Sequence, residues 1–110
     1  MTAIRHITLP AGFVAGAAAC GIKSGGVEDV AIVAAEAPAS AALATTSNQV
    51  VGAPVIWCRR ALPAGHGKVR GVVINSGCSN VCTGRAGEND AAAMARLVAR
   101  RLGCPAEDVL

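Results

Sequence analysis

The chain has 110 residues, of which 53% are hydrophobic and 15% charged, with a formal net charge of +3. This length suits one domain, the charge is too small to indicate a nucleic-acid surface, and no run of 18 apolar residues predicts a membrane span. Because the chain has one Phe, one Trp and no Tyr, its core is predicted to be thin and alanine-rich, and we expect its surfaces to meet a partner.

The N-terminus has no basic stretch followed by an apolar stretch, so it does not resemble a secretory signal. The chain also contains five cysteines, an odd number. In a chain without an export signal, this cysteine content predicts reduced thiols and a cytoplasmic location.

The first half of the chain predicts short strands separated by turns. Pro38 is predicted to end the third of them, and Ser24, Gly25 and Gly26 are predicted to form a turn. The strands are expected at 5–10, in the first part of the small apolar segment 12–26, at 29–36 and at 41–48.

The second half predicts two helices and a further strand. Pro54 suits the first turn of a helix at 53–62, and the Val- and Ile-rich stretch 68–76 indicates a strand. The longer helix is expected at 87–103.

Apolar spacing is the main signal for the helix at 87–103. Asn89 and Asp90 are expected at its N-terminus, and Gly103 is expected to end it. Its buried stripe is predicted to consist of Met94, Leu97, Val98 and Leu102. The last residues, 106–110, predict a turn that enters one more strand, so the fold class is mixed α/β.

The stretch VVINSGCSNVCTG, residues 72–84, is the most distinctive part of the sequence. Cys78 and Cys82 supply two ligands where a zinc site needs four, and their spacing is one residue longer than the CxxC redox motif. We therefore predict no metal site and favour packing roles for both thiols. The stretch also lacks the lysine of a phosphate-binding P-loop. We interpret residues 72–84 as a strand end followed by a polar turn into a helix. Such a turn can also direct backbone N–H groups at an anion.

Two further sets of residues allow a catalytic interpretation. Thr45 and Thr46 carry hydroxyls, and His66 lies between glycines. A threonine nucleophile needs an adjacent base, and the sequence places none beside them. A strand end and a surface loop are the favoured interpretations.

Three segments, in this order, resemble the N-terminal part of the ornithine acetyltransferase family. They are GFVAGAAACGIKSGGVEDVAIV, PASAALATTSNQVVGAPVIWCRRAL and VVINSGCSNVCTGRAGENDAAAMARLVARRLG. The last is similar to the family pattern NSGNANACTG, and residues 21–23 match the family's GIK. Cys78, Ser79, Val81 and Thr45 depart from the family's usual residues.

The resemblance implies a glutamate N-acetyltransferase of arginine biosynthesis that moves acetyl from N2-acetylornithine to glutamate. In that family the precursor cleaves itself, and the new N-terminal Thr is the nucleophile. An STGVIG-like motif supplies the oxyanion hole. Both motifs follow the segment matched here, so no catalytic residue is assigned to this chain. Asn75, Gly77, Asn80 and Thr83 are the residues predicted to shape the active site.

The resemblance also implies a layered fold, with helices outside two packed sheets, of which residues 1–110 would form one incomplete domain. It implies a β chain from the same precursor as partner, in an α2β2 heterotetramer. No cofactor is expected, and acetyl-CoA is a possible substrate. Two alternatives stay open. One is an inactive fragment or small interaction module, and the other is a related self-cleaving amidase or peptidase.

Overall fold

A computed structural model describes residues 10–110, so the strand predicted at 5–10 lies almost wholly outside the described residues. Two short 3-10 turns, Ser24–Gly26 and Ala106–Asp108, accompany the regular elements. The mixed α/β class is confirmed. The strands are β1 (Phe13–Ala18), β2 (Val30–Ala42) and β3 (His66–Asn75), and the helices are α1 (Ala53–Ala61) and α2 (Gly84–Leu102).

The three strands form an antiparallel sheet in the order β1-β2-β3. Val30 of β2 lies opposite Ala18 of β1 and Asn75 of β3, which fixes the register at one end of the sheet. Because side chains alternate between the faces of a sheet, the face that carries Ile32 and Val73 packs against the helical layer. The opposite face, which carries Phe13 and Ile74, is open.

β2 continues through Pro38, so the predicted break at this proline is wrong. The pairing with β3 shifts between Ala34 and Ala39, and Pro38 lies exposed within that irregularity. A proline is tolerated at a bulge because its missing N–H removes no ladder hydrogen bond there. The separate strand predicted at 41–48 is also wrong, since only Ala41 and Ala42 pair with β3 and the chain then leaves the sheet.

α2 begins at Gly84, three residues before the predicted start, so Asn89 and Asp90 are exposed residues inside the helix. The start lies earlier because no linker separates loop 76–83 from the helix. Gly84 makes the turn between them, with a φ of 62°. Gly103 ends the helix in the left-handed region, as predicted. Within residues 10–110, neither helix is long and apolar enough to cross a membrane.

The buried side of α2 is lined by smaller residues than the sequence predicts. Leu97 is 60% exposed, which contradicts its predicted place in the buried stripe. Small residues allow α1 and the sheet to approach α2 closely. The buried residues are Gly87, Ala91, Ala95, Val98 and Ala99.

The core is as thin as the composition predicts. Its centre consists of Ala95, Val98, Ala99 and Val109, with Trp57 packed against it. Val109 is fully buried, and its carbonyl accepts a hydrogen bond of 2.8 Å from the indole Nε1 of Trp57. This single large side chain therefore joins α1 to the end of the chain.

The last two residues extend the sheet, as predicted for 106–110. The N–H of Leu110 donates to the carbonyl of Gly71 at 3.0 Å, and the N–H of Val73 donates to the carbonyl of Leu110 at 2.8 Å. Val109 bridges Gly71 in the parallel sense. The chain therefore runs beside β3 in the direction of Asn75.

Replacing Trp57 with phenylalanine should lower the free energy of unfolding by about 1–2 kcal/mol. Most of the ring packing is kept, but the buried carbonyl of Val109 loses its donor. Urea unfolding followed by circular dichroism measures the change, and Arg100→Gln on the exposed side of α2 is the matched control. Equal midpoints for Trp57→Phe and the wild type would contradict this role of the indole N–H.

Candidate functional site

The carboxylate of Asp29 holds the loop that follows β1. Asp29 is 3% exposed. Its Oδ1 accepts the N–H of Cys20 at 2.7 Å, and its Oδ2 accepts the N–H groups of Ile22 and Lys23 at 2.7 and 2.9 Å. These bonds, that from Lys23 foremost, hold the pKa of Asp29 below its ordinary value of 3.8. The ionised carboxylate therefore fixes the backbone of residues 20–23, here named loop 20–23.

The backbone of Asp29 joins loop 20–23 to the end of β3. Its carbonyl accepts the N–H of Ser76 at 2.8 Å. The next residue, Gly77, has a φ of +104°, and a Cβ placed on it would lie 2.8 Å from Cγ of Lys23. Only glycine combines this backbone conformation with so close an approach. Two segments that are far apart in sequence, 21–23 and 75–77, thus meet at Asp29.

An open groove of about 630 Å³ lies beside this junction, between the sheet and α2. The groove explains the exposure of Leu97, which forms part of its wall. Its walls are mostly apolar, and Asn75, Gly77 and Cys78 form a polar rim. The apolar residues include Val30 and Ile32 of β2, Val73 of β3, and Met94 and Leu97 of α2.

Asn75 holds the rim of the groove in place. Its Nδ2 donates to the carbonyl of Cys78 at 3.1 Å, which closes a tight turn across Gly77. Asn75 also contributes to two smaller cavities, one of about 210 Å³ beside Asp29 and one of about 50 Å³ beside Trp57. The end of β3 is therefore the point at which the spaces on both sides of the sheet come together.

Asn80 and Thr83 lie further along loop 76–83 and connect the two helices. The Nδ2 of Asn80 donates to the carbonyl of Gly87 at 2.8 Å, and the Thr83 hydroxyl donates to Oδ1 of Asn80. The backbone carbonyl of Asn80 accepts the N–H of Ala53, at the start of α1, at 3.0 Å. Both residues thus hold the N-termini of α1 and α2 together.

The structure divides the four residues predicted to shape an active site into two pairs. Asn75 and Gly77 line the groove, whereas Asn80 and Thr83 hold the helix ends. Their role in a reaction stays a prediction. Because the groove walls offer one amide and one thiol among apolar groups, this surface is suited to shaping and holding a neighbour rather than to proton transfer.

Asp29 was not among the residues predicted for the site. The available signal was a pair of acids, Glu28 and Asp29, placed directly before a strand, in a chain with only 15% charged residues. A buried carboxylate must find hydrogen-bond donors, and the small, glycine-rich segment before it offers free N–H groups. Which of those groups it binds is a matter of tertiary geometry, which the sequence does not show.

All five cysteines lie within the described residues and are free thiols. Cys78 and Cys82 are exposed, so the prediction that they are packing residues is wrong. Both lie in loop 76–83, in which every residue except Asn80 is exposed, and Cys82 has a φ of 57°. By contrast, burial raises the pKa of the Cys58 and Cys104 thiols.

The residues that allowed a catalytic interpretation lie apart from the groove. The hydroxyl of Thr45 accepts a hydrogen bond from Nε of Arg59 at 3.1 Å, and the carbonyl of Thr46 accepts one from Nη2 at 2.6 Å. A cationic donor cannot act as the base that a threonine nucleophile needs. His66 starts β3, at the opposite end of that strand from Asn75.

Comparisons with known proteins confirm the family resemblance that the three sequence segments indicate. Residues 14–110 match the model of the ArgJ family. The chain is 45% identical over 105 residues to the arginine biosynthesis bifunctional protein ArgJ of Thermobifida fusca, and 46% identical over 99 residues to that of Mycobacterium tuberculosis. These alignments cover 94% and 89% of this chain, but 27% and 24% of the relatives. The chain thus spans about a quarter of the length of the curated relatives it matches.

Two crystal structures share the fold. One is ornithine acetyltransferase from Mycobacterium tuberculosis, solved in complex with ornithine, with a TM-score of 0.84 and 43% identity. The other is the arginine biosynthesis bifunctional protein ArgJ from Bacillus halodurans, with a TM-score of 0.83 and 32% identity. They match 94% and 90% of this chain, and this chain covers 55% and 51% of theirs.

Proposed function

The chain belongs to the ArgJ family, and from this premise we propose that it forms the N-terminal part of a glutamate N-acetyltransferase. The complete enzyme would transfer acetyl from N2-acetylornithine to glutamate. The chain itself covers about a quarter of its curated relatives, so its contribution is one wall of the site rather than the chemical step.

The observation that carries this proposal is the meeting of two family-like segments at one place. Residues 21–23 and 75–77 are joined through Asp29 and open onto the apolar groove. The register of the sheet places the ends of β1 and β3 beside the same residue of β2, Val30, so the segments that follow these two strands come together at one end of the sheet. We propose that the two segments, which both resemble the family, serve a common site at this groove.

In the proposed reaction the nucleophile is a Thr that lies outside this chain, as in the family. Its hydroxyl attacks the acetyl carbonyl of N2-acetylornithine, the C–N bond breaks, and ornithine leaves as the amine. The resulting acetyl ester is then attacked by the amine of glutamate, which restores the hydroxyl. Donors of an STGVIG-like motif would stabilise the negative oxygen formed at each step.

The direction of the chain beside β3 supports a position of the STGVIG-like motif near the groove. Leu110 already pairs with Gly71 and Val73 of β3. Any polypeptide continuing in this direction would run beside Ile74 and Asn75, towards the rim of the groove. We propose that the oxyanion-hole residues of the complete enzyme approach the site along this path.

The open face of the sheet supports the layered fold and the partners implied by the family. Ile74 and Phe13 lie on this face and are 50% and 37% exposed. We propose that a second sheet covers them in a complete α2β2 enzyme. The five free thiols support a cytoplasmic location.

An acetyl-exchange assay on the natural gene product tests the proposed function. Labelled N2-acetylornithine is supplied with glutamate, and N-acetylglutamate, ornithine and free acetate are measured, with and without acetyl-CoA. Labelled N-acetylglutamate formed in step with ornithine supports the proposal. Acetate release without transfer would favour the amidase alternative, and no reaction of either kind would favour an inactive or interaction role.

Placing a charge on the open face should impair assembly without unfolding the chain. We expect Ile74→Glu to leave the thermal midpoint within about 4 °C of wild type, because the side chain is half exposed. The same change should reduce the yield of assembled enzyme several-fold, since a buried unpaired charge is strongly unfavourable in an interface. Size-exclusion chromatography measures assembly, and Ala86→Glu on exposed α2 surface is the control. Normal assembly of Ile74→Glu would argue against a covered sheet.

A further inference from the structure

We infer that Asp29 is a positioning residue, which holds loop 20–23 and the Ser76–Gly77 turn as one rigid rim of the groove. This inference rests on the proposed function, because the rim matters only if the groove belongs to the acetyl-transfer site. Asp29 itself does not line the groove. It acts through the two segments that do.

Packing alone does not hold loop 20–23 in place. Cys20, Gly21 and Ile22 are exposed, and Lys23 is only half-buried. Within residues 10–110, every N–H of this loop that has a hydrogen-bond partner donates to the Asp29 carboxylate. Hydrogen bonds to an ionised acceptor are about twice as strong as neutral ones. The carboxylate is therefore the main restraint on the loop.

The same residue restrains the other side of the rim. The Asp29 carbonyl accepts the Ser76 N–H at 2.8 Å, and the stem of Lys23 lies against Gly77. A shift of loop 20–23 would carry Lys23 away from Gly77 and move the rim next to Asn75. Displacements of about 1 Å around a reacting centre can lower rates by roughly 100-fold, so the position of the rim can control the reaction without contact between Asp29 and substrate.

Asp29→Asn in the natural gene product tests the inference, because asparagine keeps the shape of the side chain but removes its charge. Amide exchange at Cys20, Ile22, Lys23 and Ser76 should accelerate, while Ala95 in the core stays protected. At a temperature well below unfolding, kcat/KM for acetyl exchange should fall by roughly tenfold or more. Asp90→Asn, on the exposed side of α2, is the matched control and should change neither quantity.

Gly77→Ala displaces the same rim in a second way, because the added Cβ would push on Lys23. The effects of Asp29→Asn and Gly77→Ala on kcat/KM should be less than additive, because both displace one unit. Additive effects, or kcat/KM of Asp29→Asn within twofold of wild type, would overturn the inference. If the wild type shows no acetyl exchange, the proposed function fails instead. Amide exchange then decides whether Asp29 holds the two segments, and unchanged exchange in Asp29→Asn would overturn that part as well.

Discussion

Replacing Gly87 with alanine should lower the free energy of unfolding by about 2–3 kcal/mol, the upper part of the range typical of overpacked sites. Alanine is ordinarily the better helix former by about 1 kcal/mol, so helix propensity alone predicts the opposite sign. Gly87 is buried in the first turns of α2. A Cβ on this residue would overlap Oγ1 of Thr83 and Oδ1 of Asn80.

The overlap cannot be relieved without loss of hydrogen bonds. Asn80 donates to the Gly87 carbonyl, and the Thr83 hydroxyl donates to Asn80. If Asn80 moves, its backbone carbonyl also leaves the N–H of Ala53 at the start of α1. The predicted effect is therefore larger than that of a local clash, because both helix ends are released.

Urea unfolding of Gly87→Ala followed by circular dichroism measures this effect. Asn89→Ala is the matched control, since Asn89 is exposed in the same helix and should gain up to about 0.7 kcal/mol from the higher propensity of alanine. A Gly87→Ala protein at least as stable as the wild type would show that loop 76–83 adapts freely to the methyl group.

The helices and strands could be predicted better than the site because they depend on local signals. The apolar pattern of α2 and the glycine at its end are local signals, and the helix is found with Gly103 as its cap. Pro38 is also a local signal, but its meaning depends on the partner strand. The register shift opposite Pro38 removes the need for its N–H, and a single strand's sequence contains no information about that shift.

The site depends on contacts between distant segments. The sequence indicated Asn75 and Gly77 through their resemblance to a family pattern, and the structure places both on the groove. The sequence did not indicate Asp29. The three N–H groups that stabilise its charge come from a loop whose path is set by the carboxylate itself. Residue types at a spacing cannot show such a mutual dependence.

Removing the Asp29 carboxylate should destabilise the protein at neutral pH and have a smaller effect in strong acid. We expect Asp29→Ala to lower the thermal midpoint at pH 7 by roughly 5–15 °C, because three backbone N–H groups lose their acceptor. The pKa of Asp29 is lower in the folded protein than its ordinary value of 3.8. Its stabilising contribution is therefore complete above that value and declines as the pH falls through the folded pKa.

The difference between wild type and Asp29→Ala should thus be constant from neutral pH down to about one unit above the ordinary carboxyl value, and then shrink. Thermal unfolding at a series of pH values measures it, with Asp90→Ala as the control for loss of an exposed carboxylate. Because Asp90 is exposed on α2, its variant should follow the wild type throughout. A difference that persisted unchanged in strong acid would mean that Asp29 stabilises the loop through packing and not through its charge.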